Sequence, residues 1–338
     1  MTIRAVASAI VLIAGLGGSA GTTAAGDALY SIQVRAVPMA ERADGMTTYR
    51  ALRDKGYLVY AYKAEIDGQP WLRVAVGAFE SIDDAAAFGK SFSATEQQDH
   101  FVAVAPVRII AGDGGDFVVT PSALWTREAA KAREVFVFDD PPPKKFAAPC
   151  GIRLKPSPDG KGVAFQYGAR VYAVRLGDAA ATRLSAGGNT FGTEHVYGPE
   201  PHWSPSGRYV AFHDFVEFEV KTSLWVARAD GSELRVLVDN RPTESQNAVK
   251  SFVWHPVEDR ILFVDGYGFG TVSVGGAIRS VDMAGNIETV LAPDSDARQE
   301  LAGPLRIEDG YLQYRKVQFD DEYVHRTFTD QKVPLAGL

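Results

Sequence analysis

The sequence is poor in the features that mark metal-stabilised, disulfide-bonded or nucleic-acid-binding proteins. Its 338 residues include one cysteine, Cys150, so no disulfide can form within the chain, and no Cys/His set has the spacing of a zinc site. The 35 basic residues are outnumbered by 42 acidic ones, the wrong sign for a protein whose main partner is nucleic acid phosphate. The fold must therefore depend on packed apolar cores, and we expect no metal and no cofactor.

Sequence-visible hydrolase signatures are also missing. Neither a Gly-x-Ser-x-Gly elbow nor a His-Glu-x-x-His motif occurs. The glycines of 266–270, with Gly275 and Gly276, lack the Lys-Ser/Thr pair and the strand-to-helix context of a phosphate loop, which favours a plain loop. We therefore expect a protein that is not an enzyme, although a dispersed catalytic set leaves no signature in a sequence.

Two further clusters favour structural roles. His195, His202 and His213 are separated by prolines and lie beside repeated turn motifs, which favours loop or packing histidines over metal ligands. The acidic run 320–322 is expected to be a solvated turn, because no matching loop of calcium ligands surrounds it.

Long hydrophobic runs are absent outside the N-terminus. Arg4 precedes an apolar run over residues 5–16, and small residues follow to Ala25. A basic start, a short apolar run and a small-residue stretch predict a secretory signal peptide over 1–25, since a membrane span needs about 20 apolar residues. We expect an exported protein.

Residues 28–112 alternate between strand and helix patterns. In chain order we predict a strand over 29–37, a helix over 39–55, strands over 57–66 and 71–76 joined by an Asp67-Gly68 turn, a helix capped by Ser81, and a strand over 101–110. This βαββαβ order predicts an α+β domain with one antiparallel four-stranded sheet and both helices on one face. The other face would remain open.

The open face is the candidate binding site. Its expected side chains are amides, hydroxyls, guanidiniums and aromatic rings, namely Ser31, Gln33, Arg35, Tyr60, Tyr62, Trp71 and Arg73. Such groups suit a polymer with hydroxyls, N-acetyl groups and flat sugar faces. An RNA-binding sheet would show a basic excess that this segment lacks, so glycan is favoured over RNA. The alternative is that these positions are simply solvated.

This segment resembles the SPOR domain family. The motifs that carry the resemblance are Tyr30-Ser31-Ile32-Gln33-Val34, Leu52-x-x-Lys55-Gly56-Tyr57, Trp71-Leu72-Arg73-Val74-x-Val76-Gly77-x-Phe79 and Asp84-Ala85-Ala86. The resemblance implies binding to peptidoglycan glycan strands, especially strands stripped of stem peptides at the division septum, with Gln33 and Arg73 on the binding face. It also implies a periplasmic location. Ala78 stands where the family usually has proline.

The rest of the chain is repetitive. Residues 113–148 are expected to be a linker or an irregular first blade, with a helix over 122–134, and residues 149–338 repeat a turn motif. Pro158, Pro205 and Pro256 lie 47 and 51 residues apart, and a fourth, degraded copy ends at Asp309-Gly310. This period, with several strands per unit, predicts an all-β propeller-like domain.

The repeats are similar to those of TolB-type periplasmic proteins. The shared pattern is Trp-Ser-Pro-x-Gly-x-x-x-Ala-Phe, seen at 203–212, with Asp-Gly before the last strand. The family has six blades, whereas the repeats here predict four or five. The resemblance implies a scaffold for protein contacts, without stable membrane insertion.

Three readings of function follow. The first is an exported envelope protein that binds peptidoglycan glycan and uses its propeller to contact envelope or divisome proteins. The second is a cell-wall or peptide hydrolase with a propeller-framed cleft and a SPOR targeting module. The third is a small domain that has lost its ligand and packs on the propeller, with Gln33 and Arg73 buried between them.

Overall fold

The protein was analysed as a computed structural model. It describes residues 28–128, 131–138, 152, 154–167, 170–185, 200–217, 221–240, 246–268, 273–294, 298–322 and 324–336. The expected signal peptide over 1–25 lies outside these residues. Within them, neither helix has the length and apolar character needed to cross a bilayer.

The N-terminal domain has the predicted element order. Its elements are β1 (Tyr30–Pro38), a short 3-10 helix (Met39–Glu41), α1 (Arg42–Asp54), β2 (Val59–Ile66), β3 (Gln69–Phe79), α2 (Ile82–Glu96) and β4 (Phe101–Val104). The strands form an antiparallel sheet in the order β2-β3-β1-β4. The main chain turns from β2 to β3 at Asp67 and Gly68, both of which have positive φ.

Both helices pack on one face of this sheet. Tyr49 and Leu52 of α1 and Phe92 of α2 share a buried cluster with Ile32 and Val76 of the strands. The α+β arrangement predicted from the alternating patterns is confirmed. The opposite face, which we call the outer face, carries Ser31, Gln33, Tyr60, Tyr62, Trp71 and Arg73.

The strand predicted over 101–110 is wrong in its extent. The chain leaves the sheet after β4 and forms β5 (Arg108–Gly112), which belongs to a different sheet with β6 (Gly115–Val119), β7 (Ala123–Glu128) and β8 (Lys131–Val137). Pro106 lies at the break between the two strands. We call this second unit the first sheet of the repeat region.

The helix predicted over 122–134 is also wrong. Its alanines and charged residues have good helix propensity, but Ala123, Leu124 and Trp125 are buried in β7, which pairs with β6 and β8. Tertiary burial on both faces of the strand outweighs an intrinsic preference of a few tenths of a kcal/mol per residue. The described residues of this stretch, up to residue 138, belong to strands of the first sheet; residues 139–148 lie outside the described part, and the linker and irregular-blade readings of the whole stretch remain predictions.

Four further sheets follow in chain order. Their strands are β9 (Leu154–Pro156), β10 (Gly162–Tyr167), β11 (Arg170–Arg175), β12 (Thr182–Arg183), β13 (His202–Trp203), β14 (Tyr209–Glu217), β15 (Lys221–Arg228), β16 (Arg235–Val238), β17 (Asn247–Trp254), β18 (Arg260–Tyr267), β19 (Ala277–Asp282), β20 (Ile287–Leu291), β21 (Gln299–Glu308), β22 (Tyr311–Phe319) and β23 (Arg326–Pro334). Three sheets have four antiparallel strands each, and β21-β22-β23 has three in the described residues. An all-β repeat region is thus confirmed, with five sheets counting the first.

The repeated motif forms the turn between the first two strands of successive sheets. Ser157 accepts a hydrogen bond from Gly162 N at 2.8 Å, Ser204 accepts one from Tyr209 N at 3.2 Å, and the His255 ring accepts one from Glu258 N at 3.1 Å. A side-chain acceptor at this position holds the turn closed.

The tryptophans of the motif join neighbouring sheets. Trp203 Nε1 donates to Lys155 O at 2.8 Å in the sheet before it, and Trp254 Nε1 donates to His202 O at 2.9 Å. Buried clusters connect each sheet to the next: the first to the second, the second to the third, and so on to the last. The repeat therefore encodes face-to-face stacking as well as turns.

Candidate functional site

Strand register brings the predicted binding residues into rows on the outer face. Tyr60, Ala75 and Gln33 lie opposite one another, and Tyr62 lies opposite Arg73 in the next row. Trp71 lies two residues before Arg73 on the same strand, so its side chain is on the same face of the sheet. Ser31 joins Gln33 by the same alternation. Six of the seven predicted residues therefore lie on the outer face, and their role in binding remains a prediction.

Arg35 is the exception. A bulge between Gln33 and Arg35 sets Arg35 opposite Val74, which is buried in the helix-side core. Arg35 is exposed, but it does not continue the outer-face rows. Its expected place on that face is corrected, because a bulge shifts the alternation of side chains by one residue.

Half of the outer face is buried, contrary to the expected exposure. Ser31 and Tyr60 are 0% exposed and Gln33 is 5% exposed. The helices cover the other side of the sheet, so another element must cover these residues. The cover is the first sheet of the repeat region, whose Val118 and Trp125 belong to the same buried cluster as Tyr60 and Ala75.

Polar contacts fix the edges of this interface. Ala61 N, on the free edge of β2, donates to Ser122 Oγ at 3.4 Å, and Arg127 Nη1 donates to Ala78 O at 2.9 Å. Arg127 is held in turn by Asp116, with 2.6 Å between Nη2 and Oδ2. The first sheet therefore meets the small domain through main-chain and side-chain atoms at two separate places.

Glu134 of β8 forms a third contact, with α1. The Tyr49 hydroxyl donates to its carboxylate, and Arg53 Nη1 lies 3.6 Å from Oε1. Burial, and then the hydrogen bond to Glu134, raise the pKa of Tyr49 well above its ordinary value. Tyr49 therefore remains a neutral hydrogen-bond donor. Glu134 connects the first sheet to α1 through a hydrogen bond from neutral Tyr49 and an ion pair with Arg53.

Several polar atoms are buried at this interface without a hydrogen-bond partner. Among the described residues they are Ser31 Oγ, Gln33 Oε1 and Arg73 Nε on the outer face and Trp125 Nε1 on the opposing sheet. Each such group costs about 1–3 kcal/mol relative to its hydrated state. The docked arrangement is thus stabilised by apolar contact and opposed by lost hydrogen bonds.

The other half of the outer face remains accessible. Tyr62, Trp71 and Arg73 are half-buried. Trp71 also lines an open depression formed with Pro38, Met39, Ala40, Ile66, Asp67, Gln69 and Pro70. A cation, a phenol ring and an indole beside an apolar depression can bind a sugar ring by stacking and charge-assisted hydrogen bonds.

The histidines have packing roles where they are described. His202 and His213 both contact the ring of Phe252 edge-on, with centroids 4.9 and 4.8 Å away. Burial lowers the pKa of His213 to about 3 and also lowers that of His202. His195 lies outside the described residues. No group of three or more potential metal ligands occurs in the described part of the chain.

The glycine-rich and acidic runs are structural as well. Gly266, Gly275 and Gly276 lie where strands meet so closely that a Cβ on Gly266 would be 1.8 Å from Gly275 O. Asp320 accepts hydrogen bonds from Val324 N and His325 N and closes an exposed turn, as expected.

Sequence reasoning missed the residues that cover the site, above all Trp125 and Glu134. A signal was present: the apolar runs 117–119 and 123–125 flank Pro121-Ser122, a pattern typical of a hairpin buried on both faces. The sequence could not show which surface would bury its second face.

Comparison with known proteins identifies the first domain. Residues 26–103 match the family model of the SPOR domain. No curated protein matches the chain.

Solved structures resemble the chain weakly. A protein assigned as TolB from Agrobacterium tumefaciens has 16% identity and a TM-score of 0.29, covering 56% of this chain and 83% of its own. Dipeptidyl peptidase 4 from Porphyromonas gingivalis has 10% identity and a TM-score of 0.38, covering 67% of this chain and 37% of its own. The Cps50 (Swd1) β-propeller domain from Myceliophteria thermophila has 13% identity and a TM-score of 0.33, covering 67% and 74%. Likeness at this level carries no functional argument. The comparisons therefore identify one part of the chain: residues 26–103 match the SPOR domain family model.

Proposed function

We propose that this is a periplasmic envelope protein that binds peptidoglycan glycan strands, including strands stripped of stem peptides at the division septum. The observation that carries the proposal is the accessible part of the outer face, where Arg73 lies beside Tyr62 and two residues from Trp71. The Arg73 guanidinium would donate to N-acetyl and hydroxyl oxygens, and the rings would stack on sugar faces.

The proposal assigns the stacked sheets a scaffolding role toward other envelope proteins and includes no catalytic step. Support comes from the architecture, since short turns join the antiparallel strands of sheets that pack against one another. Loops grouped at one end of rigid sheets are suited to protein recognition.

The experiment is a pull-down of the mature chain on purified sacculi, with and without amidase treatment to remove stem peptides. We expect enrichment on both and more on treated sacculi. Arg73→Ala should weaken binding about tenfold, because a charge-assisted hydrogen bond contributes about 1.5 kcal/mol. The matched control is Arg50→Ala, which removes an exposed arginine from α1 on the other side of the sheet. Unaltered binding by Arg73→Ala, or no enrichment on either preparation, would refute the proposal.

A further inference from the structure

The buried half of the outer face has no place in the proposal above. Ser31, Gln33 and Tyr60 are on the same face as Arg73, yet a glycan strand cannot reach them while the first sheet is docked. A glycan strand is a linear polymer that would extend along the rows of the sheet rather than stop at Arg73. Docking and full glycan contact therefore exclude one another.

The chemistry of the interface indicates which state each group favours. Trp125 and Val118 bring apolar area to the docked state. Ser31 Oγ and Gln33 Oε1 find no partner there among the described residues, although both can hydrogen-bond to water or to sugar hydroxyls and amides once uncovered. Because docking satisfies the apolar groups and leaves polar ones unpaired, the unpaired polar groups lower the free-energy cost of the open state.

Around the apolar centre of this interface, the polar contacts of the docked state lie at its edges. They are the Ala61–Ser122 hydrogen bond, the Arg127–Ala78 hydrogen bond and the Tyr49–Glu134–Arg53 cluster. The connection between the domains, residues 105–107, directly follows β4. Its first residue is held next to the start of β1, because Ala105 N donates to Leu29 O at 2.7 Å. Breaking the edge contacts would let the sheet swing away without unfolding either domain.

We propose that the first sheet of the repeat region, β5 to β8, is an autoinhibitory cover for the glycan-binding face of the SPOR domain, and that its release uncovers Ser31, Gln33 and Tyr60 for the glycan strand. The inference rests on the proposed function. It makes glycan affinity depend on the docking equilibrium: the docked state binds through Tyr62, Trp71 and Arg73 alone, and a larger population of the open state adds the contacts of Ser31, Gln33 and Tyr60. A partner that binds the first sheet in its undocked state would raise glycan binding without touching glycan.

One test releases the cover in the full chain. Glu134→Lys places a cation against Arg53 and removes the acceptor of Tyr49. We expect sacculus binding to rise about tenfold, since a minor open state is commonly 0.1–10% populated. Adding Gln33→Ala should remove the gain, whereas Gln33→Ala alone should change binding less than twofold. Equal binding by Glu134→Lys and the unaltered chain would overturn the inference, as would an equal loss from Gln33→Ala in both backgrounds.

A second test does not depend on a destabilising change. Ala61→Cys with Ser122→Cys, in a Cys150→Ser background, places thiols at two positions whose Ala61 N and Ser122 Oγ atoms lie 3.4 Å apart, so that oxidation or a short disulfide-containing bis-maleimide can link them. The oxidised form should bind sacculi only through Tyr62, Trp71 and Arg73. Its binding should therefore be weaker than that of the reduced form, and reduction should restore the difference. Each single-cysteine variant serves as the control. Identical binding by the oxidised and reduced forms would overturn the cover.

The two proposals fail in distinguishable ways. If neither the unaltered chain nor the released variant binds sacculi, the proposed function fails. If the unaltered chain binds in an Arg73-dependent manner and neither release nor crosslinking changes that binding, only the cover fails.

Discussion

Ser31, Gln33 and Arg73 each bury a polar atom that has no hydrogen-bond partner among the described residues. The same residue type has a different role a short distance away: Ser157 and Ser204 use their hydroxyls to accept main-chain hydrogen bonds in the repeated turns. The contribution of a serine to stability therefore depends on its partner and not on burial alone.

Replacing Ser31 with alanine tests this difference. Because the buried hydroxyl has no partner among the described residues, Ser31→Ala should leave the free energy of unfolding unchanged or raise it by about 1 kcal/mol. Ser204→Ala, which removes a satisfied acceptor, should lower it by about 1 kcal/mol. Urea denaturation of the two variants measures both values, and equal losses would contradict the account of the interface.

The buried His213 predicts a pH dependence. In the unfolded chain this histidine takes up a proton as the pH falls through about 6.5, whereas in the folded protein its pKa is about 3. Between these values the unfolded state binds more protons, so stability decreases as the pH falls, by up to about 1.4 kcal/mol per pH unit. His213→Gln should flatten the dependence of the unfolding free energy between pH 6.5 and 4. His325→Gln, at an exposed position, should retain the slope of the unaltered chain.

At the scale of elements, local signals decided some structures and neighbours decided others. α2 is fixed locally, because Ser81 accepts a hydrogen bond from Asp84 N at 3.0 Å and acidic residues occupy the first turn. β7 is fixed by its surroundings, because its helix-forming residues are buried between two apolar surfaces. A helix cap involves residues within one turn of the chain, so the start of α2 can be predicted from the sequence alone.

Ser81→Ala should cost about 1 kcal/mol of stability, the ordinary loss for an N-cap serine. Ser91 is the matched control: it lies within the same helix, and its hydroxyl bonds only to the carbonyls of Ala87 and Phe88. Ser91→Ala should change stability by less than about 0.5 kcal/mol, since alanine favours the helix. Thermal unfolding followed by circular dichroism compares them, and a similar shift for both would argue against the cap.

At the scale of the whole molecule, each sheet is stabilised by the apolar surface that it buries against its neighbours. Each sheet of the repeat region shares a buried cluster with its neighbour, and the first sheet shares one with the SPOR domain. Such stacked units are coupled mainly through nearest-neighbour interfaces. A defect at one interface should therefore affect the two units that meet there.

Trp125→Ala is expected to create a cavity between the SPOR domain and the first sheet and to cost about 3–5 kcal/mol. Hydrogen exchange should quicken in β1 to β3 and in β5 to β8, with little change in β21 to β23. Val257→Ala, at an exposed turn, should leave all three regions unchanged. Uniform acceleration throughout the chain would indicate one cooperative unit and contradict this view.

The small α+β domain, the side-chain alternation that puts Gln33, Tyr62, Trp71 and Arg73 on one face, and the repeated turns could all be predicted from local sequence patterns. Alternation, capping and turn chemistry act over a few residues, so they can be recognised without knowing what packs where. The bulge at Arg35 escaped prediction because a single extra residue in a strand leaves no mark in composition.

Only the tertiary structure decided what covers the outer face. The polar and apolar residues of β1 and β2 predict an open sheet, and the buried hairpin around Trp125 predicts only that some surface must lie against it. Burial is a property of two surfaces that are distant in sequence, and hydrophobic attraction is non-directional, so no local pattern names the partner. The pairing of these surfaces covers half of the outer face with the first sheet.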